Sequence, residues 1–294
     1  MKTPEFVDPY QLHEGIWRGP RPVIHREEDY HSNFFPILAE MEQRHFWYRG
    51  RYRFLLWSVK KYLRIVSGSP LRIIDLGGGC GGWIRRLAEA ISDRQMELAV
   101  GDSSLRALEL ARLQAPPEVR LYHVDCMDLG WQNRWDAIFL LDVLEHLPDD
   151  LAALEQIRQA LRPGGLLWIT VPALQQFWSY NDELAQHRRR YNRADFARLA
   201  ELAELTLLDA RYFMFLLSPL VWVSRLLIRP RRGILSATKA AELLQQTHRI
   251  PHPVLNTALT AIAAAETPLG HWIRFPWGTS LLGVFQKPLD ERMH

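Results

Sequence analysis

Two sets of residues in this chain have the types and spacing for chemistry. In the first, Asp75, Gly77, Gly79 and Gly81 alternate through Arg72–Trp83. Asp75 closes a short apolar run that reads as a buried strand, and Ile84–Ala90 has helical spacing. A strand, a glycine-rich turn and a helix make half of a βαβ nucleotide-binding unit. Gly77, Gly79 and Gly82 also fit the G-x-G-x-x-G dinucleotide spacing, so the turn has two readings. A carboxylate just ahead of the turn repels a pyrophosphate and stabilises an ammonium group. The second set is His146 and His187, with Asp142 and Glu145 beside the former. Imidazoles suit proton removal near neutral pH, and mixed oxygen and imidazole donors also suit a divalent cation.

The elements that must hold these groups follow from periodicity. Residues 1–32 are rich in proline, histidine and charge and are expected as an irregular arm. Two helices are predicted from Asn33 to Ile65, broken near Gly50. Their junction, His45–Arg53, holds four aromatics, a histidine and three arginines, suited to closing over a ligand or gripping an anion. Strands are predicted at 71–75, 97–100, 119–123, 136–141, 166–171, 205–213 and 280–286, with helices at 81–92, 105–114, 149–161 and 194–204. Asp102 ends the second strand, where an acid meets ribose hydroxyls. The loop Pro172–Asn192, with Trp178 and Asp182–Tyr191, falls beyond the carboxyl ends of the strands, where open α/β sheets bind ligands. Residues 214–270 interrupt the turn between the last two strands, beginning with the nearly apolar Leu216–Ile228, near whose end Arg225, Arg229, Arg231 and Arg232 gather. Helices are predicted at 236–248 and 253–266. This insertion reads as a lid, as packing on the N-terminal helices, as a peripheral membrane contact or as a dimer surface. Monomer and homodimer both stay open.

Composition narrows the classes. A 48% hydrophobic chain of 294 residues can bury a full core, and two cysteines offer neither a disulfide framework nor zinc spacing. A net charge of +3 is too small to argue for nucleic acid, and no partner of that kind is expected. The N-terminus lacks a signal-peptide core and no apolar run reaches the ~18–20 residues of a spanning helix. A cytoplasmic protein is expected, with peripheral contact at the inner membrane face as an added reading.

The D-x-G-x-G-x-G turn, the acid-ended second strand, the aspartate after strand four and Arg162-Pro163-Gly164-Gly165 before strand five together resemble the class I S-adenosylmethionine-dependent methyltransferases over about residues 70–215. The resemblance implies an α/β fold: a Rossmann-like, seven-stranded, mostly parallel sheet with helices on both faces, plus an N-terminal helical extension and a helical insertion before the last strand. It implies an arm and helices over 1–68, a cofactor core over 69–213, the insertion over 214–270 and a last strand and tail over 271–294. It implies S-adenosylmethionine as cofactor and S-adenosylhomocysteine as product. Cofactor contacts are expected from Asp75, Gly77, Gly79, Gly81, Asp102, Ser103, Asp125, Cys126, Leu141 and Asp142. His146, His187 and Tyr191 are the expected catalytic residues; His45, Trp47, Arg49, Trp178, Arg188 and Arg190 are expected to bind the acceptor. Asp142-x-x-Glu145-His146 with His187 also resembles the metal-binding pattern of small-RNA 2′-O-methyltransferases and ubiquinone-pathway O-methyltransferases, but the first glutamate is replaced by aspartate, and no metal is expected. O-methylation of a small or lipid-linked metabolite is the leading reading. N- or C-methylation, and a non-catalytic cofactor-binding protein, are its alternatives.

Overall fold

The computed structural model describes residues 8–26, 34–66, 69–92, 94–227 and 249–289. The helix expected at 236–248, with Arg229, Arg231 and Arg232, lies outside them. In chain order the elements are β1 (Gln11–His13), β2 (Ile16–Arg18), α1 (Phe35–Arg44), α2 (Phe46–Tyr62), β3 (Leu71–Leu76), α3 (Gly82–Ala90), β4 (Met96–Asp102), α4 (Leu105–Gln114), β5 (Arg120–His123), β6 (Trp135–Leu141), α5 (Asp150–Ala160), β7 (Leu161–Pro172), α6 (Tyr180–Leu184), α7 (Arg193–Leu202), β8 (Thr206–Phe213), α8 (Ser218–Leu227), α9 (Pro253–Trp272) and β9 (Ser280–Gln286).

One sheet runs β1-β2-β5-β4-β3-β6-β7-β9-β8. The strands from β2 to β7 are parallel neighbours, and β9 inserts antiparallel between β7 and β8. The order reverses at β3, so the carboxyl ends of β3, β4 and β6 open into the crevice where such sheets bind ligands. Central strands are apolar on both sides, as a doubly covered parallel sheet requires. Along β6, Ile138 and Leu140 pack with α5 and α7, while Ala137, Phe139 and Leu141 pack with α2, α3 and α9.

Three expectations are corrected. The sheet has nine strands, because part of the expected irregular arm folds as a hairpin whose second strand pairs with β5 (Trp17 opposite Tyr122). Tyr10 holds the hairpin down by donating its hydroxyl to Leu129 O at 2.9 Å and stacking on Trp131. The helical break lies at His45, whose extended backbone ends α1 and caps α2, not at Gly50. Gly50 lies inside α2 because a Cβ there would come within 2.8 Å of Ala263 on α9. Arg162-Pro163-Gly164-Gly165 lies within β7, not before it. Leu161 pairs with Trp135 and Leu166 with Ala137, so the motif is a bulge that re-aims the strand.

Candidate active site

A cavity of about 480 Å³ opens at the carboxyl ends of β3–β7. The turn after β3 supplies Asp75, Gly77 and Gly79, the end of β4 Asp102 and Ser103, the loop after β5 Asp125 and Cys126, and the loop after β6 Leu141, Asp142 and His146. His45, Trp47, His187 and Arg190 also line it. All of these were singled out in the sequence, and the sheet topology gathers them at one edge.

The β3 turn is shaped by its glycines. Gly79 has φ +53°, and a Cβ there would lie 3.2 Å from Leu38. Its N–H donates to Asp102 Oδ2 at 2.9 Å, and Ser104 N donates to Oδ1 at 2.8 Å. Asp102 therefore staples the glycine turn to the end of β4, with lone pairs still available on both oxygens. Asp75 is buried with Oδ1 lacking a hydrogen-bond partner. Burial, then the charge of Glu42, pushes its carboxyl well above the usual carboxylate range. Glu42 itself, from α1, is buried, accepts from Tyr52 Oη at 3.2 Å and leaves Oε2 unpartnered. Two under-satisfied acids thus lie close together, and a cation beside them would favour their charged forms.

Just past β6, Asp142 has φ +55°, a conformation a non-glycine residue adopts only when held. It is held by an ion pair with Arg51 of α2 and by Thr170 Oγ1 donating at 3.0 Å. Further along, Asp182 at the start of the Asp182–Tyr191 segment is buried and accepts from His187 Nδ1 at 3.0 Å, Arg190 Nε at 2.7 Å and Ser179 N at 2.7 Å. Burial raises its carboxyl, but the bonds from His187 and the charge of Arg190 outweigh this and hold it below its ordinary value. An ionised Asp182 can only accept, so it fixes a proton of His187 on Nδ1; in the neutral imidazole the lone pair is then on Nε2. The His146 and His187 rings lie 4.9 Å apart. Glu145, fully buried with both oxygens unpartnered by hydrogen bonds, places Oε1 3.9 Å from His187 Nε2. Donor atoms of Glu145, His146 and His187 lie within 4.8 Å of one another. Asp142, the remaining acid of the motif, is already engaged by Arg51 and Thr170.

Other expected residues fall elsewhere. Tyr191 is buried behind the site, donating to Asp150 Oδ2 at 3.1 Å, so it is a packing residue and not a catalytic one. Arg49 is exposed on the outer side of α2, since two helical positions separate it from the inward Arg51. Arg188 is exposed and donates to His146 O at 2.8 Å, clamping the loop after β6. Trp178 and Gly81 lie outside the cavity; Gly81 caps α3. Arg190 spends Nε on Asp182 and Nη1 on Ala173 O.

Sequence reasoning placed Arg51 and Asp182 in ligand-facing stretches but gave neither a role of its own, and it missed Glu42 and the segment that brings His25 Nδ1 to 2.9 Å from Ser103 Oγ and Arg26 Nη2 to 3.1 Å from Asp125 Oδ2. An acid and an arginine on one helical pair flanked by aromatics were the only local signal for Glu42 and Arg51.

A family model described as a methyltransferase domain matches residues 46–210. A ubiquinone biosynthesis O-methyltransferase of Alkalilimnicola ehrlichii is 36% identical over 99 residues, which is 32% of this chain and 38% of that protein. Phosphoethanolamine N-methyltransferase 2 of Caenorhabditis elegans is 28% identical over 125 residues, 42% of this chain and 28% of that protein. The chain thus spans well under half the length of either relative. Among solved structures, a chain of the Haloferax volcanii complex between the Trm112 methyltransferase activator and a methyltransferase shares the fold with a TM-score of 0.56 at 18% identity, covering 90% of this chain and 99% of that one. A sarcosine dimethylglycine methyltransferase from Galdieria sulphuraria does so with a TM-score of 0.51 at 15% identity, covering 81% and 86%.

Proposed function

The chain belongs to the methyltransferase-domain family and is a class I S-adenosylmethionine-dependent methyltransferase, and on that premise we propose that it methylates an oxygen of a small or lipid-linked acceptor with His187 as general base. The bound cofactor supplies a methyl group on a sulfonium and leaves as S-adenosylhomocysteine. Asp75 and the glycine turn would hold the methionine end, Asp102 the ribose hydroxyls, and Asp125 with Cys126 the adenine. Trp47, Tyr48 and Leu38 would exclude water from the far wall. Aligning two reactants in such a cleft contributes about 7–11 kcal/mol to a displacement.

The Asp182–His187 pair carries the reading. A hydroxyl must shed its proton as it is methylated, and an imidazole locked by a buried carboxylate, with Nε2 free to accept, is built to take it. Arg190 would keep Asp182 ionised so that it continues to accept. The similarity to an O-methyltransferase supports the same assignment.

Screening S-adenosylhomocysteine release over panels of hydroxyl, amine and carbon acceptors tests it. Hydroxyl acceptors should be turned over, and His187→Ala and Asp182→Asn should each lower kcat by about a hundredfold while cofactor affinity is kept. Turnover confined to amines would sink the oxygen assignment.

The orphaned buried carboxylate of Glu145 favours a second reading, in which Glu145, His146 and His187 hold a divalent cation. Such an ion would lower the pKa of an acceptor hydroxyl. Activity that survives thorough chelation would dismiss it.

A further inference from the structure

We propose that the outward face of α2, with the C-terminal end of α9, is a contact surface for an anionic lipid bilayer. Helix α2 has two faces. Trp47, Tyr48, Arg51 and Tyr52 turn into the cavity. The outer stripe is Arg49, Arg53, Trp57, Lys60 and Lys61, continued just past the helix by Arg64, and all six are exposed. Steps of three or four residues align these side chains along one side. No acidic residue occurs between Glu42 and Asp75. Among the described residues, Arg49, Arg53, Lys60 and Arg64 form no ion pair.

An apolar tip adjoins this stripe. Trp57, 45% exposed, stacks on His271 with ring centroids 5.4 Å apart, and His271 is fixed by its Nε2 contact to Phe54 O at 3.0 Å. The next two residues, Trp272 and Ile273, are 85% and 58% exposed and end α9. Arg274 follows, 3.6 Å from Asp209. Asp209 is buried and already takes Tyr62 Oη at 3.1 Å and Arg211 Nε at 2.6 Å, so it leaves the face strongly positive.

Charge and apolarity together select the occupant. A cationic stripe alone would suit any polyanion. Exposed Trp and Ile beside it gain only from an apolar phase, and tryptophan prefers the headgroup boundary of a bilayer. Arginine and lysine beside such a tip reach anionic headgroups. Among the described residues no helix is long and apolar enough to cross a membrane, so the contact is peripheral. The same helix walls the cavity on its other side, which brings the cavity within about one helix diameter of the lipid.

Sedimentation of the full chain with vesicles tests this without any acceptor, so its failure leaves the methyl-transfer reading untouched. The protein should sediment with phosphatidylcholine–phosphatidylglycerol vesicles at low salt, be released as salt rises, and ignore vesicles of phosphatidylcholine alone. The double variant Lys60→Glu, Lys61→Glu should lower the partition coefficient at least about tenfold, since each basic residue near an anionic surface contributes substantially. Trp272→Ser, at a position too exposed to matter for folding, should lower it severalfold. Both should keep their affinity for S-adenosylmethionine by calorimetry. The proposal is overturned if the anionic vesicles retain nothing at low salt, if neither variant changes retention, or if duplex nucleic acid at equal phosphate strips the protein from the vesicles.

Discussion

Replacing Glu42 by glutamine should stabilise the protein at neutral and higher pH while weakening its hold on the cofactor. Burial raises the Glu42 carboxyl from 4.5 to about 7, against the opposing pull of Arg51 and the bond from Tyr52. Unfolded, the group releases its proton near the lower value. Between the two values the native state keeps a proton that the unfolded state has lost, so stability falls as pH rises through the window. The contribution is fully present below about 4.5 and gone above about 7. The gap corresponds to about 3 kcal/mol. Glutamine keeps the acceptor for Tyr52 and removes the charge. Urea unfolding should therefore find Glu42→Gln equal to the parent near pH 4.5 and more stable by up to about 3 kcal/mol near pH 8. The substitution also relieves Asp75 of its neighbour's charge, which adds to the gain. On the proposed reading a cationic ligand offsets this cost: at neutral pH the variant should bind S-adenosylmethionine about fivefold or more weakly, as one of two neighbouring acids is lost. Parallel pH profiles for parent and variant would refute the reasoning, because the group that loses its proton would then lie elsewhere.

Gly79→Val should abolish cofactor binding, since φ +53° strains a β-branched residue by about 1–3 kcal/mol and the new side chain meets Leu38; calorimetry on a folded variant checks it. Arg51→Met should destabilise by about 3 kcal/mol in thermal melts, because it strips the partner from Asp142 while that residue is held at φ +55°. Arg51→Lys, which restores charge without the planar fork, should recover part of the loss.

The glycine turn and the acids at the strand ends that line the cavity were legible because their signals are local. Asp75 and its glycines are contiguous, Asp102 ends a strand, and Asp125 and Asp142 come just after strands whose apolar runs are plain in the sequence. The partners of these acids were not legible. Arg51 meets Asp142 across 91 positions, and Arg26 meets Asp125 across 99; periodicity carries no information at that range. Tyr191 and Arg188 share a basic run with His187, yet composition does not say which side chains of a turn face inward. The turn's geometry sends His187 and Arg190 to Asp182, and Tyr191 to Asp150. The hairpin was invisible for another reason. β1 and β2 are three residues each, too short for alternation to register, and they are specified by Tyr10 and Trp17 finding Tyr122 and Trp131.

That hairpin has a second consequence. A parallel run ending at β5 would leave a row of unpaired N–H and C=O groups, a template for another chain to add to. β2 covers the row, and β1, short and exposed, is a poor template in its turn. The chain then passes directly on to His25 and Arg26, over the cleft. Covering of the β5 edge and the His25 and Arg26 contacts at the cleft are thus carried by one short stretch. A protein shortened past Arg26 would lose both at once, and its first symptom would be edge-to-edge clumping of otherwise folded molecules.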